Sequence, residues 1–240
     1  MSIIGYSERG IVNSIAYFLD ANPQYRKCFI EELGISLEVD NYDYLFLIEQ
    51  SFSDFGDSDL IIILKNKNIE NEKIVIFIEC KVKTSQGNFN INDEFKKIDK
   101  ALKEVNTSKF KGISSNLFVQ LYYKYLMIET KGDTSNFAIN EIFLKSKGKP
   151  RILGNNEIVQ RAFEEIKTAK YYYVAIVPTD EIDNEAFRKK IDQLRLNIPS
   201  EDVYLRNWGE IESFFKKIGA SKVLDVFEYN NAKNNKGQIY

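Results

Sequence analysis

Two short apolar runs separated by a polar segment constrain this chain more than any other feature of its sequence. Leu60 to Leu64 and Ile74 to Ile78 are rich in isoleucine, and the residues between them are mostly asparagine, lysine and glutamate. Runs of this length and composition, bounded by polar residues, predict two strands joined by a turn. The sequence therefore predicts a β-hairpin at the centre of a mixed sheet.

Charged residues stand where the two predicted strands meet. Asp59 directly precedes the first run, and Glu79-Cys80-Lys81 ends the second. Successive strand residues point to opposite faces, so Glu79 and Lys81 share one face while Cys80 faces the core. If the strands pair, the two carboxylates meet beside an ammonium, and carboxylate oxygens are the ligands that Mg²⁺ prefers. The pattern favours a divalent-cation site over the simpler alternative, a solvated strand end with a cross-strand ion pair.

An acid at one core strand, followed by Glu-x-Lys at the end of the next, resembles the signature of the PD-(D/E)XK nuclease superfamily. The matching residues are Ser58-Asp59 and Glu79-Cys80-Lys81, with serine in place of the family's proline. The resemblance implies an α/β, restriction-endonuclease-like fold: a mixed β-sheet flanked by helices, with an αβββαβ core and C-terminal additions of helix and strand.

The same resemblance implies a hydrolase that cuts phosphodiester bonds of nucleic acid, with DNA the expected substrate and Mg²⁺ or Mn²⁺ the cofactor. Asp59 and Glu79 would hold the metal. Lys81 would assist the attacking water or neutralise the charge that develops on the phosphate. The resemblance does not decide between an endonuclease and an exonuclease. It also leaves open whether the chain forms a homodimer.

Three further positions are accessory candidates. Glu8 opens a predicted helix, and in the resembled superfamily a glutamate from this helix reaches toward the metal; the helix dipole alone also favours an acid there. Asp57 is the alternative ligand to Asp59, and Asp54 is assigned to the turn before them or to a contact that supports the ligands. Gln120 lies on an apolar helix from which the resembled superfamily offers a polar residue to the site.

Contacts to substrate are expected from residues that flank the motif. The loop directly after it supplies Thr84, Ser85 and Gln86, and Lys124 on the apolar helix is the fourth candidate. The lysines of the intervening amphipathic helix are interleaved with acids, which predicts a solvated mixed-charge face.

Composition narrows the chemistry further. The chain of 240 residues has no histidine and a formal net charge of −2. The absence of histidine excludes Ser-His-Asp and Cys-His catalysis and the usual zinc sites, so hydrolysis must use carboxylates, lysine, hydroxyls and a metal. The weak negative charge does not point to a nucleic-acid binder, although basic residues lining one cleft would suffice. With no secretory leader or long apolar segment in the sequence, a cytoplasmic chain without a membrane partner is expected.

The order of elements predicts a single domain over residues 1–229, with a flexible tail over residues 230–240. An apolar helix is predicted to be capped by Ser114 or Ser115. The segment 131–156, rich in glycine, asparagine, serine and lysine, is predicted to be a loop or an insertion. This segment is either an element that determines substrate specificity or a surface loop without a functional role.

The alternative to a nuclease is a catalytically silent module of the same fold, which binds nucleic acid or a protein partner in a defence or mobile-element system. The intact trio of acids and lysine favours the enzyme. The fold alone does not decide, since one fold hosts many functions. A nucleotide phosphohydrolase would be expected to carry a glycine-rich phosphate loop, which the sequence lacks.

Overall fold

A computed structural model describes residues 7–37, 41–83, 89–104, 115–145, 148–178 and 182–231. The described part of the chain forms a mixed α/β fold. None of its helices is both long and apolar enough to cross a membrane. The helices are α1 (Ser7–Ala21), α2 (Arg26–Glu32), α3 (Ile91–Glu104), α4 (Leu117–Glu129), α5 (Glu157–Ile166), α6 (Asn184–Leu194), α7 (Trp208–Lys217) and α8 (Ser221–Asn231), and the strands are β1 (Tyr42–Ser51), β2 (Asp57–Asn66), β3 (Lys73–Cys80), β4 (Lys170–Val177) and β5 (Val203–Asn207).

The described strands form one sheet in the order β1-β2-β3-β4-β5. β1, β2 and β3 run antiparallel, whereas β4 and β5 continue the sheet in parallel with β3. The predicted hairpin is confirmed, since Leu60 pairs with Ile78 and Leu64 with Ile74. The β-branched runs form these strands because both faces of the central sheet are covered by helices, where such side chains pack well.

Helices cover the sheet on two sides and create two apolar layers. Ile61, Ile63 and Phe77 face α3 to α6. On the opposite face Ile76 and Cys80 pack against α1, α2, α7 and α8. The prediction that Cys80 faces the core is therefore confirmed, and the residue that precedes it, Glu79, points toward the α4 side of the sheet.

Helix α4 begins later than the sequence suggested. Its N-cap is Asn116, whose side chain accepts hydrogen bonds from the backbone N–H groups of Phe118 and Val119 at 3.0 and 3.3 Å. The predicted cap at Ser114 or Ser115 is wrong, because an amide oxygen one position further along satisfies the free N–H groups of the first turn.

The C-terminal helix α8 extends to Asn231, two residues beyond the predicted end of the ordered domain at residue 229. Asn230, expected to begin the flexible tail, is instead buried. Its side-chain oxygen accepts a hydrogen bond from the Ser7 backbone N–H at 2.9 Å, which ties α8 to the start of α1. The rest of the predicted tail, residues 232–240, lies outside the described residues.

The described part of the segment 131–156 packs on the core rather than standing apart from it. It contributes Ile142, Phe143 and Leu153 to the layer that contains α4. An isolated antiparallel bridge joins Asp133 to Ile152 and closes the segment on itself. Because these apolar side chains are buried, the segment is held against the sheet layer that carries the acids.

Candidate active site

Asp59 and Glu79 meet at one end of the hairpin. Leu60 pairs with Ile78, so the next residues along the same antiparallel register are Asp59 and Glu79. The backbone N–H of Cys80 donates to Asp59 Oδ2 at 2.7 Å. This hydrogen bond fixes the Asp59 carboxylate of β2 to β3, the strand that carries Glu79.

Glu79 is fully buried, and its two oxygens have different surroundings. Oε1 lies 3.3 Å from Lys124 Nζ and accepts a hydrogen bond from Ser58 Oγ, also at 3.3 Å. Oε2 is buried and has no hydrogen-bond partner among the described residues. Burial raises the pKa of Glu79, and the Lys124 ammonium opposes that rise. One oxygen of this carboxyl is thus occupied, and the other is an acceptor without a donor.

Glu8, in the first turn of α1, belongs to the same electrostatic cluster. Burial raises the pKa of its carboxyl to about 7, and the carboxylates of Asp59 and Glu79 add to the rise. The positive charges of Lys81 and Arg9 act in the opposite direction. The pKa of Asp59 is raised too, mainly by burial. The structure therefore brings together four predicted site residues: Glu8, Asp59, Glu79 and Lys81.

Helix α1 is tied to the acidic end of the sheet through Glu49 of β1. Arg9 forms an ion pair with Glu49 at 3.4 Å, and the Asn13 amide donates to the same carboxylate at 3.4 Å. Glu49 has a φ of +51°, in the left-handed region that few residues other than glycine adopt. It lies between two residues of β1 that pair with the residues flanking Asp59. These contacts hold Glu8 over the strand ends.

The backbone of Lys81 is fixed on both sides. Its N–H donates to the Ile176 carbonyl of β4 at 2.8 Å. Its carbonyl accepts a hydrogen bond from the indole Nε1 of Trp208, also at 2.8 Å. Trp208 is the only tryptophan of the chain and is fully buried. Sequence reasoning missed this contact, although a single buried tryptophan at the start of a helix is a signal for a specific hydrogen bond.

The remaining predicted residues take different places. The Asp57 side chain is exposed, and its backbone carbonyl accepts a hydrogen bond from Lys124. Gln120 is half-buried, and its Oε1 is an acceptor without a partner among the described residues. Lys124, expected to contact substrate, has a side chain only 1% exposed, so its ammonium points inward. Thr84, Ser85 and Gln86 lie outside the described residues.

The turn before β2 is clamped by the segment 131–156. The Arg151 guanidinium stacks 3.8 Å from the centre of the Tyr123 ring. It donates to the Tyr123 hydroxyl and to the backbone carbonyls of Asp54 and Phe143. The Asp54 carboxylate accepts from the Ile152 N–H at 3.0 Å and pairs with Lys145 at 2.7 Å. Asp54 is therefore a turn residue, as predicted, and the segment supports the turn that leads to the acids.

The lysines of α3 pair with acids of their own helix. Lys97 contacts Glu94 at 3.0 Å and Lys103 contacts Asp99 at 2.6 Å, each within one helical turn. The predicted mixed-charge face is confirmed. The lysine side chains of these pairs are exposed, so the pairs contribute little stability. They also leave little net positive charge on this helix.

Two negative findings complete the description. The described residues contain no group of three or more aspartate, glutamate, cysteine or histidine side chains arranged to hold a metal ion. No protein-family model, curated protein or solved structure matches this chain. The resemblance to a nuclease superfamily therefore rests on the sequence of the hairpin.

Proposed function

We propose that this chain is a metal-dependent nuclease of the PD-(D/E)XK kind, with DNA as its expected substrate. The observation that carries the proposal is the convergence of Glu8, Asp59, Glu79 and Lys81 at one end of a buried hairpin. The order of elements supports it: α1 and α2 precede three antiparallel strands, and α3, the buried α4 and α5 precede the parallel strand β4. This order contains the elements of an αβββαβ core, with additional helices.

The residues present fit a divalent cation held by two protein ligands. Glu79 Oε2 is a buried oxygen without a donor among the described residues. Asp59 lies opposite it, and carboxylate oxygens suit a hard cation. Magnesium usually takes only one or two carboxylates from a protein and fills its other positions with water and phosphate oxygens. The described residues contain no group of three ligands, and a magnesium site with two carboxylate ligands does not require one.

The chain's own residues would divide the work of phosphodiester hydrolysis. Asp59 and Glu79 would hold the cation, which when bound supplies Lewis-acid polarisation of the phosphate and a more acidic water. Lys81, half-buried beside them, would neutralise negative charge on the scissile phosphate. Glu8 would stand beside these groups as the accessory carboxylate, and the backbone contacts of Lys81 would keep its side chain aimed at the site.

The second candidate function is a catalytically silent module of this fold that binds nucleic acid or a protein partner. The observation that favours it is the ion pair between Glu79 and Lys124, since Glu79 has one oxygen already occupied. A structural ion pair would use the same residues without any chemistry.

A cleavage assay separates the two. The purified chain is incubated with supercoiled, linear and single-stranded DNA and with RNA, in Mg²⁺, Mn²⁺ or EDTA. We expect divalent-dependent cleavage that Glu79→Gln abolishes and that Lys81→Ala slows by about 10²- to 10³-fold in kcat. Asp59→Asn and Asp57→Asn form a matched pair on one strand, and only the first should abolish cleavage.

Two outcomes count against the proposal. Cleavage that persists in EDTA or in Glu79→Gln removes the mechanism. Failure to cleave any substrate, with DNA or RNA still bound in a mobility-shift assay, favours the silent module.

A further inference from the structure

Lys124 is a buried cation in the most apolar helix of the described chain. Nine of the 13 residues of α4 are buried, and the Lys124 side chain is only 1% exposed. Removing an ammonium from water costs several kcal/mol unless it is paired and hydrogen-bonded. A lysine at such a position therefore requires specific acceptors.

The ammonium has three acceptors, one for each of its N–H groups. Nζ lies 3.3 Å from Glu79 Oε1, 3.1 Å from the Phe55 carbonyl and 2.8 Å from the Asp57 carbonyl. Gly56, between the two carbonyls, has a φ of +76°, and a Cβ there would lie 3.8 Å from Nζ. The turn therefore wraps around the ammonium.

These contacts join the two halves of the candidate metal site. One contact holds a carboxylate on β3, and the other two hold the turn that leads into Asp59 on β2. We propose that Lys124 is a positioning residue that sets the spacing of Glu79 and Asp59 for a divalent cation. This inference rests on the proposed function, in which those two carboxylates are the ligands.

The role differs from that of Lys81. Lys81 is half-buried at the strand end, where a substrate phosphate can reach it, whereas the Lys124 ammonium is enclosed by protein. Loss of Lys124 should therefore weaken the binding of the cation and lower kcat, but leave the KM for DNA nearly unchanged at saturating metal.

The test measures Mn²⁺ binding by isothermal titration calorimetry on the parent chain, Lys124→Met and the milder Lys124→Gln. Residues that support metal ligands typically change metal affinity by 10- to 100-fold, so we expect the Kd of Lys124→Met to rise roughly 10- to 100-fold. Lys124→Gln keeps an N–H donor, folds more readily and should fall between that variant and the parent.

Met127→Ala is the matched control, because Met127 is a fully buried residue of α4 that packs in the apolar layer. It should destabilise the chain but keep the Mn²⁺ Kd within about twofold of the parent, as expected for an independent site. If both Lys124 variants bind Mn²⁺ as tightly as Met127→Ala does, Lys124 is only structural and the inference fails alone. If the parent itself binds no Mn²⁺, the inference and the proposed function fail together.

Discussion

Glu8→Gln is expected to stabilise the metal-free chain at alkaline pH while it impairs the proposed function. In the folded chain, burial and two neighbouring carboxylates raise the pKa of Glu8 from its ordinary 4.5 to about 7. Each tenfold change in proton affinity corresponds to about 1.4 kcal/mol, so ionised Glu8 destabilises the fold by about 3 kcal/mol. Glutamine has no charge to bury and escapes this penalty.

The sign of the pH dependence follows from proton binding. Well below pH 4.5 the Glu8 carboxyl is protonated in both the folded and the unfolded chain, so it makes no difference to stability. As the pH rises from 4.5 to about 7, the unfolded chain releases the proton while the folded chain retains it, so stability falls. Above that range the full penalty applies. The advantage of Glu8→Gln should therefore be near zero at acidic pH and about 3 kcal/mol at about pH 8.

The assay is urea unfolding followed by far-UV circular dichroism, in EDTA, across this pH range. The free energy of unfolding of Glu8→Gln should still fall somewhat with rising pH, because burial also raises the pKa values of Asp59 and Glu79. Glu31→Gln, at an exposed position of α2, is the matched control and should follow the parent curve. If the parent and Glu8→Gln curves run parallel from acid to alkaline pH, Glu8 does not lie in the buried acidic cluster and the reasoning is refuted.

Two further substitutions test the supports of the site by urea unfolding. Trp208→Phe leaves the Lys81 carbonyl without its indole donor and should cost about 1–3 kcal/mol. It should also lower the proposed cleavage activity, and an unchanged stability would contradict the hydrogen bond. Arg151→Met frees the carbonyls of Asp54 and Phe143 and should cost at least about 2 kcal/mol. The exposed Arg161→Met is its control and should stay within about 0.5 kcal/mol of the parent, so equal losses would refute the clamp.

The hairpin could be predicted from the sequence because its information is local. Strand periodicity places Glu79 and Cys80 on opposite faces, and the structure has them so. The exact start of the strand could not be predicted in this way. Asp59 was expected at the mouth of β2 but lies within it, since β2 begins at Asp57 and pairs there with Ser51 of β1. Pairing with a neighbouring strand extends β2 beyond its apolar run.

The supports of the site are contacts between residues distant in sequence, and no local pattern encodes them. Lysine is rarely buried, and Lys124 was expected to contact substrate even though the helix around it is apolar on nearly every side. Its partner Glu79 lies on β3, and α3 separates that strand from α4 in the sequence. Arg151 and Trp208 likewise act on the turn and the strand end from elements later in the chain.

The charges at the end of the hairpin are not balanced as they would be in a structural ion-pair network. Lys124 is engaged by Glu79, and Arg9 pairs with Glu49 on the surface. Burial raises the pKa values of Glu8, Asp59 and Glu79 alike, so the described cations do not offset the cost of placing these carboxyls together. Clusters of this kind destabilise the fold and are more frequent at functional sites than elsewhere.

A divalent cation that neutralises the three carboxyls would reverse this penalty. Mg²⁺ should therefore stabilise the parent more at about pH 8 than at about pH 5, because at the lower pH protons compete with the cation for the carboxylates. Glu8→Gln should gain less from Mg²⁺, since it lacks one of the negative charges whose repulsion the cation would offset. A structural network would instead respond to Mg²⁺ no more than to Na⁺ of equal ionic strength, so this comparison distinguishes a cation site from a buried ion-pair cluster before any substrate is known.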